Sequence, residues 1–141
     1  MIAVLLAGIL AATPPAPPAP TCHGGDISVT DLRIKLIKGS ARTATADRLL
    51  ITGDFTNVGS MAQEPRVAQH AELVRNGVVV ASQPLPPLAA GVTYPLQFRI
   101  FRDTSQRTDP VQVLVRYVLD AKHRVDRNDC LATNDSLTKI F

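Results

Sequence analysis

Apolar and polar residues alternate along most of the chain, at the two-residue period of strands that bury one face. The alternation comes in short runs, and residues of the kind that form turns lie between them. The runs cover residues 32–37, 49–56, 67–75, 78–82, 94–101, 111–120 and 136–141. No stretch repeats its apolar residues at the period of a helix. The pattern therefore predicts about seven strands and an all-β protein.

Turn residues separate these runs, and one pair gives the strongest local signal in the chain. Asn76 and Gly77 lie between two apolar runs, which is typical of a tight β-hairpin. The second predicted strand stops at a turn that contains Asn57 and Gly59, and Gly91 lies in the break before the fifth strand. These five residues are predicted to be turn positions.

Two of the predicted strands carry information about their place in a sheet. Pro95 cannot donate a hydrogen bond to a neighbouring strand, so the run at 94–101 is expected either to lie at a sheet edge or to start pairing late. The run at 111–120 is the longest regular alternation and is expected at a central position. Antiparallel strands joined by short turns favour an immunoglobulin-like β-sandwich over residues 21–141. A β-barrel stays open as the alternative all-β arrangement.

The first twenty residues differ in character from the rest. Residues 1–12 are almost entirely apolar, which is too short for a membrane span and suits the core of a signal peptide. Residues 13–20 are rich in proline and predict an extended spacer. We expect export to the periplasm or the extracellular space, and no stable membrane span after processing. No basic residue precedes the apolar core, so cleavage and anchoring both stay open.

The chain has two cysteines, Cys22 before the first strand and Cys130 before the last. In an exported protein such a pair predicts one disulfide, which would tie the two ends of the domain together. A zinc site is the alternative, because His23 adjoins Cys22 and His123 precedes Cys130 by seven residues. Neither half has the close ligand spacing of a zinc motif, so the sequence favours the disulfide.

Composition and charge exclude some partners and identify none. Hydrophobic residues make up 45% of the chain but aromatic residues only 4%, which predicts a core of aliphatic side chains. The net charge is +3, and the basic residues are spread singly along the sequence. Nucleic-acid binding is not expected, because it requires a basic stripe with aromatic residues that stack on bases.

No motif of a known catalytic or cofactor site is present. The chain lacks a nucleophile elbow, a phosphate-binding loop and a dinucleotide-binding glycine motif. His23, His123, Asp126 and Asp129 are weak candidates for metal ligands, and Asp135 could join the two aspartates on a calcium ion. Acidic residues in turns are more often simply solvated. We therefore predict no cofactor, no metal site and no enzymatic activity.

Four short motifs follow one another along the chain. They are a strand opening at Asp31, Asn57–Val58–Gly59 after the second strand, the hairpin tip Asn76–Gly77, and Leu88–Ala89–Ala90–Gly91 before the next strand. This set resembles the bacterial cell-adhesion-related domain called CARDB. The resemblance covers residues 27–141. It implies an extracytoplasmic immunoglobulin-like module of surface proteins. The acidic stretch that closes the family's domains is interrupted here by Arg127 and Cys130.

Together these features predict an exported, non-catalytic binding or scaffold module at the cell envelope or surface. Its expected partner is an envelope or extracellular protein or a glycan. Two other functions stay open: a periplasmic assembly factor that pairs an edge strand with a client, and a small metal-binding protein that uses Cys22, His23, His123 and Cys130.

Overall fold

The computed structural model describes residues 22–37, 46–103, 105, 109–120 and 129–141. Seven strands and a short 3-10 turn, Ala132–Asn134, make up the elements of this part of the chain. The strands are β1 (Ile27–Ile37), β2 (Ala46–Asn57), β3 (Gln69–Arg75), β4 (Val78–Pro84), β5 (Thr93–Asp103), β6 (Gln112–Leu119) and β7 (Ser136–Ile140). The predicted all-β class is confirmed.

The strands form two antiparallel sheets. One has three strands in the order β1-β2-β5, and the other has four strands in the order β4-β3-β6-β7. Two separate sheets make a β-sandwich, so the barrel alternative is wrong. β5, which contains Pro95, lies at an edge, and β6 lies inside its sheet, as predicted. The longest strand, however, is the twelve-residue β2 rather than β6.

The core fills the space between the two sheets. In β2 the side chains of Leu49, Ile51 and Phe55 are fully buried, and in β6 Val113 and Val115 meet them from the opposite sheet. Burial of each such side chain contributes about 1.5–3 kcal/mol to folding. The alternating positions between them point to solvent, so each sheet also has an outer face.

The two-residue hairpin turn between β3 and β4 needs a left-handed backbone. Asn76 has a φ of 47° and Gly77 a φ of 82°, values that asparagine and glycine accept most readily. Gly91 has a φ of 76° in the turn before β5. A β-bulge in β4 follows, because Leu73 pairs with Ala81 while Val74 pairs with Val79.

In the part of the chain described above, no helix is long and apolar enough to span a membrane. The predicted signal segment and spacer, residues 1–20, lie outside the described residues, as do His123, Asp126 and Arg127.

Candidate functional site

The Cys22–Cys130 disulfide is present and joins the segment before β1 to the segment before β7. The two Cα atoms are 5.6 Å apart and the cysteines are 108 residues apart in sequence. Closing a loop of this length stabilises the folded chain by about 4–5 kcal/mol in the chain-entropy model. The two ends of the domain are therefore covalently tied, as predicted.

This disulfide overturns the alternative zinc site. Zinc binds cysteine as the thiolate, and both sulfur atoms are here used in the bond between Cys22 and Cys130. His23 is exposed beside the disulfide, and His123 lies outside the described residues. The proposed four-residue ligand set therefore has no thiolate to offer.

Asp26 fixes the chain next to the disulfide. Its side chain is 1% exposed, and its two carboxylate oxygens accept hydrogen bonds from the backbone N–H of Leu131 and from Nδ2 of Asn134, each at 2.8 Å. Its backbone N–H donates to Oδ1 of Asn57 at 3.0 Å. Asp26 thus joins the start of β1 to the turn before β7 and to the end of β2.

Asn57 is the second fixed point at this end of the sandwich. Its Oδ1 accepts from the backbone N–H groups of Asp26 and Gly59, and its Nδ2 donates to the carbonyl oxygens of Met61 and Leu88. All four hydrogen bonds are 2.9–3.0 Å long, and the side chain is fully buried. The amide therefore satisfies backbone groups from three separate segments, which explains the Asn57–Val58–Gly59 motif.

Two further carboxyl groups lie against Asp26 and favour their protonated forms. Burial, then the charge and a hydrogen bond of Asp26, raise the pKa of Asp129 to about 6. Burial, then the charge of Asp129, raise the pKa of Asp135 to about 7. Like charges close together disfavour ionisation, so this carboxyl cluster takes up protons near neutral pH.

The same place holds three buried oxygen atoms without a hydrogen-bond partner, namely Oδ1 of Asp129, Asn134 and Asp135. Among the residues that the structure describes, no group of three or more His, Cys, Asp or Glu side chains is arranged to hold a metal ion. Of the weak metal candidates, Asp129 lies in this cluster and His23 is exposed nearby, whereas His123 and Asp126 are outside the described residues.

A buried side-chain network lies beneath the loop between β2 and β3. Gln63 and Gln69 pair through both of their amides at 2.8 and 2.9 Å, and the hydroxyl of Tyr117 donates to Gln69 at 2.7 Å. Gln63 also accepts from the backbone N–H of Leu88. Burial and nearby carboxylates raise the pKa of Tyr117. The network holds two loops onto the four-stranded sheet.

His70 lies on the outer face of β3, as its position in the alternation predicts. Its Nε2 is 3.1 Å from Glu72, which also binds Arg116 on β6. Partial burial acts against ionisation of Glu72, but the hydrogen bonds from His70 and Arg116 outweigh it and lower the pKa of Glu72. Glu72 thus links His70 and Arg116 on the outer face of the sheet.

Sequence reasoning missed Asp26, Asn134, Gln63, Gln69 and Tyr117. The sequence offered one signal of buried polar residues. Four polar residues occupy positions that the alternation assigns to the inner face or its margin, namely Asp26, Asn57, Gln69 and Tyr117. Asp135 was considered only as a calcium ligand, and its closeness to Asp26 depends on a contact over more than a hundred residues.

No protein-family model matches the chain, and a comparison with curated proteins also gave no match. Solved structures do match it. One is the NMR structure of a domain of a candidate cell surface protein from Methanosarcina acetivorans, with a TM-score of 0.54 and 16% identity over 83% of this chain and 90% of that one.

The other is the crystal structure of the CARDB domain of a Pyrococcus furiosus protein in complex with di-metal ions. It has a TM-score of 0.54 and 12% identity, over 86% of this chain and 94% of that one. At such identities the likeness is one of fold. It agrees with the turn motifs and with the two-sheet architecture, and the chain therefore has a CARDB-like, immunoglobulin-type β-sandwich fold.

Proposed function

We propose that this protein is an exported, non-catalytic binding or scaffold module of the cell envelope or cell surface. The observation that carries the proposal is the Cys22–Cys130 disulfide, which joins the two ends of the domain. Disulfides of this structural kind persist in oxidising compartments outside the cytosol. The fold likeness to a domain of a candidate cell surface protein supports the same location.

The architecture also suits a scaffold better than a catalyst. The disulfide, Asp26 and Asn57 fix one end of the sandwich through contacts between segments far apart in sequence. The polar side chains buried there bind backbone groups and one another, so they serve to hold the loops. Our proposal includes neither a metal nor an enzymatic activity.

Location and binding can be tested separately. Cells that produce the full chain are fractionated, and intact cells are treated with a protease that cannot enter them. We expect the protein in the envelope or the medium, and accessible to the protease if it is surface-bound. Recovery in the cytoplasmic fraction with reduced cysteines would contradict the proposal.

Edge-strand pairing with a client is a second candidate function, and β4 favours it. This edge strand has no charged residue, and its first three residues, Val78, Val79 and Val80, are all exposed. An uncharged apolar edge can pair with another strand, whereas natural edges usually carry protective charges.

One edge of the three-stranded sheet, β5, is less open. On β5, the backbone oxygen of Gln97 accepts a hydrogen bond from Gln83 at 2.6 Å, and that of Phe101 accepts one from Arg75 at 3.0 Å. These side chains occupy acceptors that an added strand would need. Pairing is therefore expected on β4 rather than on β5.

A Val79→Lys variant tests this candidate, with Val92→Lys as a control that adds the same charge at another exposed valine outside β4. Cross-linking in envelope extract should lose a β4-dependent partner in the first variant only. An identical cross-linking pattern for both variants and the parent would rule the candidate out.

A further inference from the structure

Three exposed basic side chains that are far apart in sequence lie together on the outer face of the three-stranded sheet. Lys35 of β1 pairs in register with Leu50 of β2, and Leu50 pairs with Arg99 of β5. In the neighbouring row Arg48 of β2 lies between Ile37 of β1 and Phe101 of β5. We call the following six residues the basic face: Lys35, Ile37, Arg48, Leu50, Arg99 and Phe101.

Strand geometry brings these charges together although the sequence spreads them out. The inward neighbours Leu49 and Ile51 are buried, so Arg48 and Leu50 point outwards, and Arg99 does the same between buried Phe98 and Ile100. Adjacent strands lie about 4.8 Å apart, which places Lys35 and Arg99 about 10 Å apart across β2. The basic residues are spread singly along the sequence, but the fold brings three of them onto one face.

The three basic groups of this face differ in their pairing from Arg33, their neighbour on β1. Within the described residues, no carboxylate forms an ion pair with Lys35, Arg48 or Arg99. Arg33, one row further along β1, is instead paired with Asp31 and with Asp54 at 2.7 Å. The positive charge is therefore concentrated in two rows of the sheet.

One carboxylate lies near the margin of the basic face. Asp103 is the next residue of β5 after Phe101 that faces outwards. It accepts a hydrogen bond from the backbone N–H of Ser105 at 2.8 Å. The three basic groups and the Asp103 carboxylate together give this part of the sheet an excess of two positive charges. Mutual repulsion of like charges is relieved when an anion binds across them.

The apolar members of the basic face are exposed beside the charges. Phe101 is 62% exposed and Ile37 39% exposed, and the guanidinium carbon of Arg48 is 6.0 Å from the centre of the Phe101 ring. The neighbouring row offers a hydroxyl on Thr52 and an amide on Gln97. Cations, an aromatic surface and hydrogen-bonding groups lie side by side on the outer face of this sheet.

We propose that the basic face binds an acidic polysaccharide, with Lys35, Arg48 and Arg99 on its anionic groups and Phe101 against the apolar side of a sugar ring. The inference deepens the proposed function and rests on it, because it names the ligand class of an extracytoplasmic module. A single exposed aromatic cannot stack successive bases, and the polar row beside the face does not suit insertion into lipid.

A matched pair of variants tests the proposal. Arg99→Gln removes one positive charge from the basic face, and Arg66→Gln removes one from an exposed position in the loop before β3. The oxidised full chain is titrated by calorimetry with polygalacturonate, a carboxylate polysaccharide, and with neutral dextran. We expect binding to polygalacturonate and none to dextran. The binding should be weakened by salt and should be about fivefold weaker in Arg99→Gln.

Arg66→Gln should bind like the parent, and Phe101→Ala should bind the polysaccharide more weakly while keeping its affinity for inorganic polyphosphate. Equal losses in Arg66→Gln and Arg99→Gln would overturn the proposal, because they indicate diffuse charge attraction. Stronger binding to single-stranded DNA or to phosphatidylglycerol vesicles would overturn it as well. If the protein is exposed at the cell surface but does not bind polygalacturonate, this inference is refuted and the proposed function stands.

Discussion

The side chain of Asn57 accepts a hydrogen bond from the backbone N–H of Asp26 at 3.0 Å, and so ties the end of β2 to the residue before β1. The same Asp26 uses its carboxylate to hold Leu131 and Asn134 beside the disulfide. A single contact between two buried polar residues thus links the turn motif in the sequence to the covalent closure of the domain.

Replacing Asn57 with alanine should lower the free energy of unfolding by about 3 kcal/mol or more. The change leaves the N–H groups of Asp26 and Gly59 and the carbonyl group of Met61 without the side-chain partner, whereas the carbonyl group of Leu88 keeps the N–H of Gln63. Each buried unsatisfied group costs about 1–3 kcal/mol unless water reaches it. Urea denaturation of the oxidised protein measures the loss.

Val58→Ala is the matched control, because the adjacent side chain is 52% exposed and makes no comparable contact. It should change the free energy of unfolding by less than about 0.5 kcal/mol. Equal midpoints for Asn57→Ala and the parent would mean that the amide does not organise this end of the sandwich.

Two glycines should be intolerant of substitution for different reasons. A Cβ at Gly59 would lie 2.2 Å from the backbone oxygen of Gly24, so Gly59→Ala forces the chain beside the disulfide to move. We expect a loss of about 1–3 kcal/mol, as for overpacking in a filled space. Thermal and urea denaturation would both detect it.

Gly77 has open space around it, but its φ of 82° strains any residue with a Cβ. Gly77→Val should therefore cost about 1 kcal/mol or more through the backbone alone. An unchanged denaturation midpoint would be inconsistent with the left-handed turn between Asn76 and Val78.

The hairpin, the strands and the edge position of β5 were predictable because local rules govern them. Asn76–Gly77 specifies a tight turn, Pro95 cannot donate to a ladder, and alternation identifies the inner face of β2 and β6. The cysteine pair was predictable as well, since a chain with two cysteines offers a single pairing.

The basic face and the carboxyl cluster were not predictable, because both depend on pairing between distant segments. Lys35 and Arg99 meet across Leu50 only when the order β1-β2-β5 and its register are known. Asp26 and Asp135 meet only when the two ends of the chain come together.

The carboxyl cluster should make the protein less stable as the pH rises. The folded-state pKa values of Asp129 and Asp135, about 6 and about 7, lie above the usual unfolded value near 4. The folded state therefore binds more protons between these limits, and its extra stability is lost as the pH passes from about 4 through 7.

Because water screens both half-buried groups, we expect the free energy of unfolding to fall by only about 1–2 kcal/mol between pH 5 and pH 8. Urea titrations at the two pH values measure it, and Asp135→Asn should remove most of the difference. Asp26 and Tyr117 also face these two groups. A free energy of unfolding that rises with pH in this range would contradict the raised pKa values of Asp129 and Asp135.

The buried pair of Asp47 and Arg102 should contribute far more to stability than the more exposed pair of Asp54 and Arg33. Arg102 is 5% exposed, Asp47 is fully buried, and their charged atoms are 3.9 Å apart. Asp47→Ala leaves a buried guanidinium without its carboxylate, which we expect to cost about 3 kcal/mol.

Asp54→Ala on the outer side of β2 is the control, because it removes a pair with Arg33, whose side chain is 52% exposed. Its cost should be under about 1 kcal/mol. Similar losses for both variants in urea denaturation would show that burial does not distinguish the two pairs.

The central claim is that the folded domain lies outside the cytoplasm with its two ends joined by the disulfide between Cys22 and Cys130. The most direct measurement is peptide mapping by mass spectrometry of protein taken from the envelope or the medium of producing cells, alkylated before any reduction. The account predicts one linked peptide pair that contains both cysteines and separates on reduction. Recovery of both cysteines in alkylated form without reductant would contradict it.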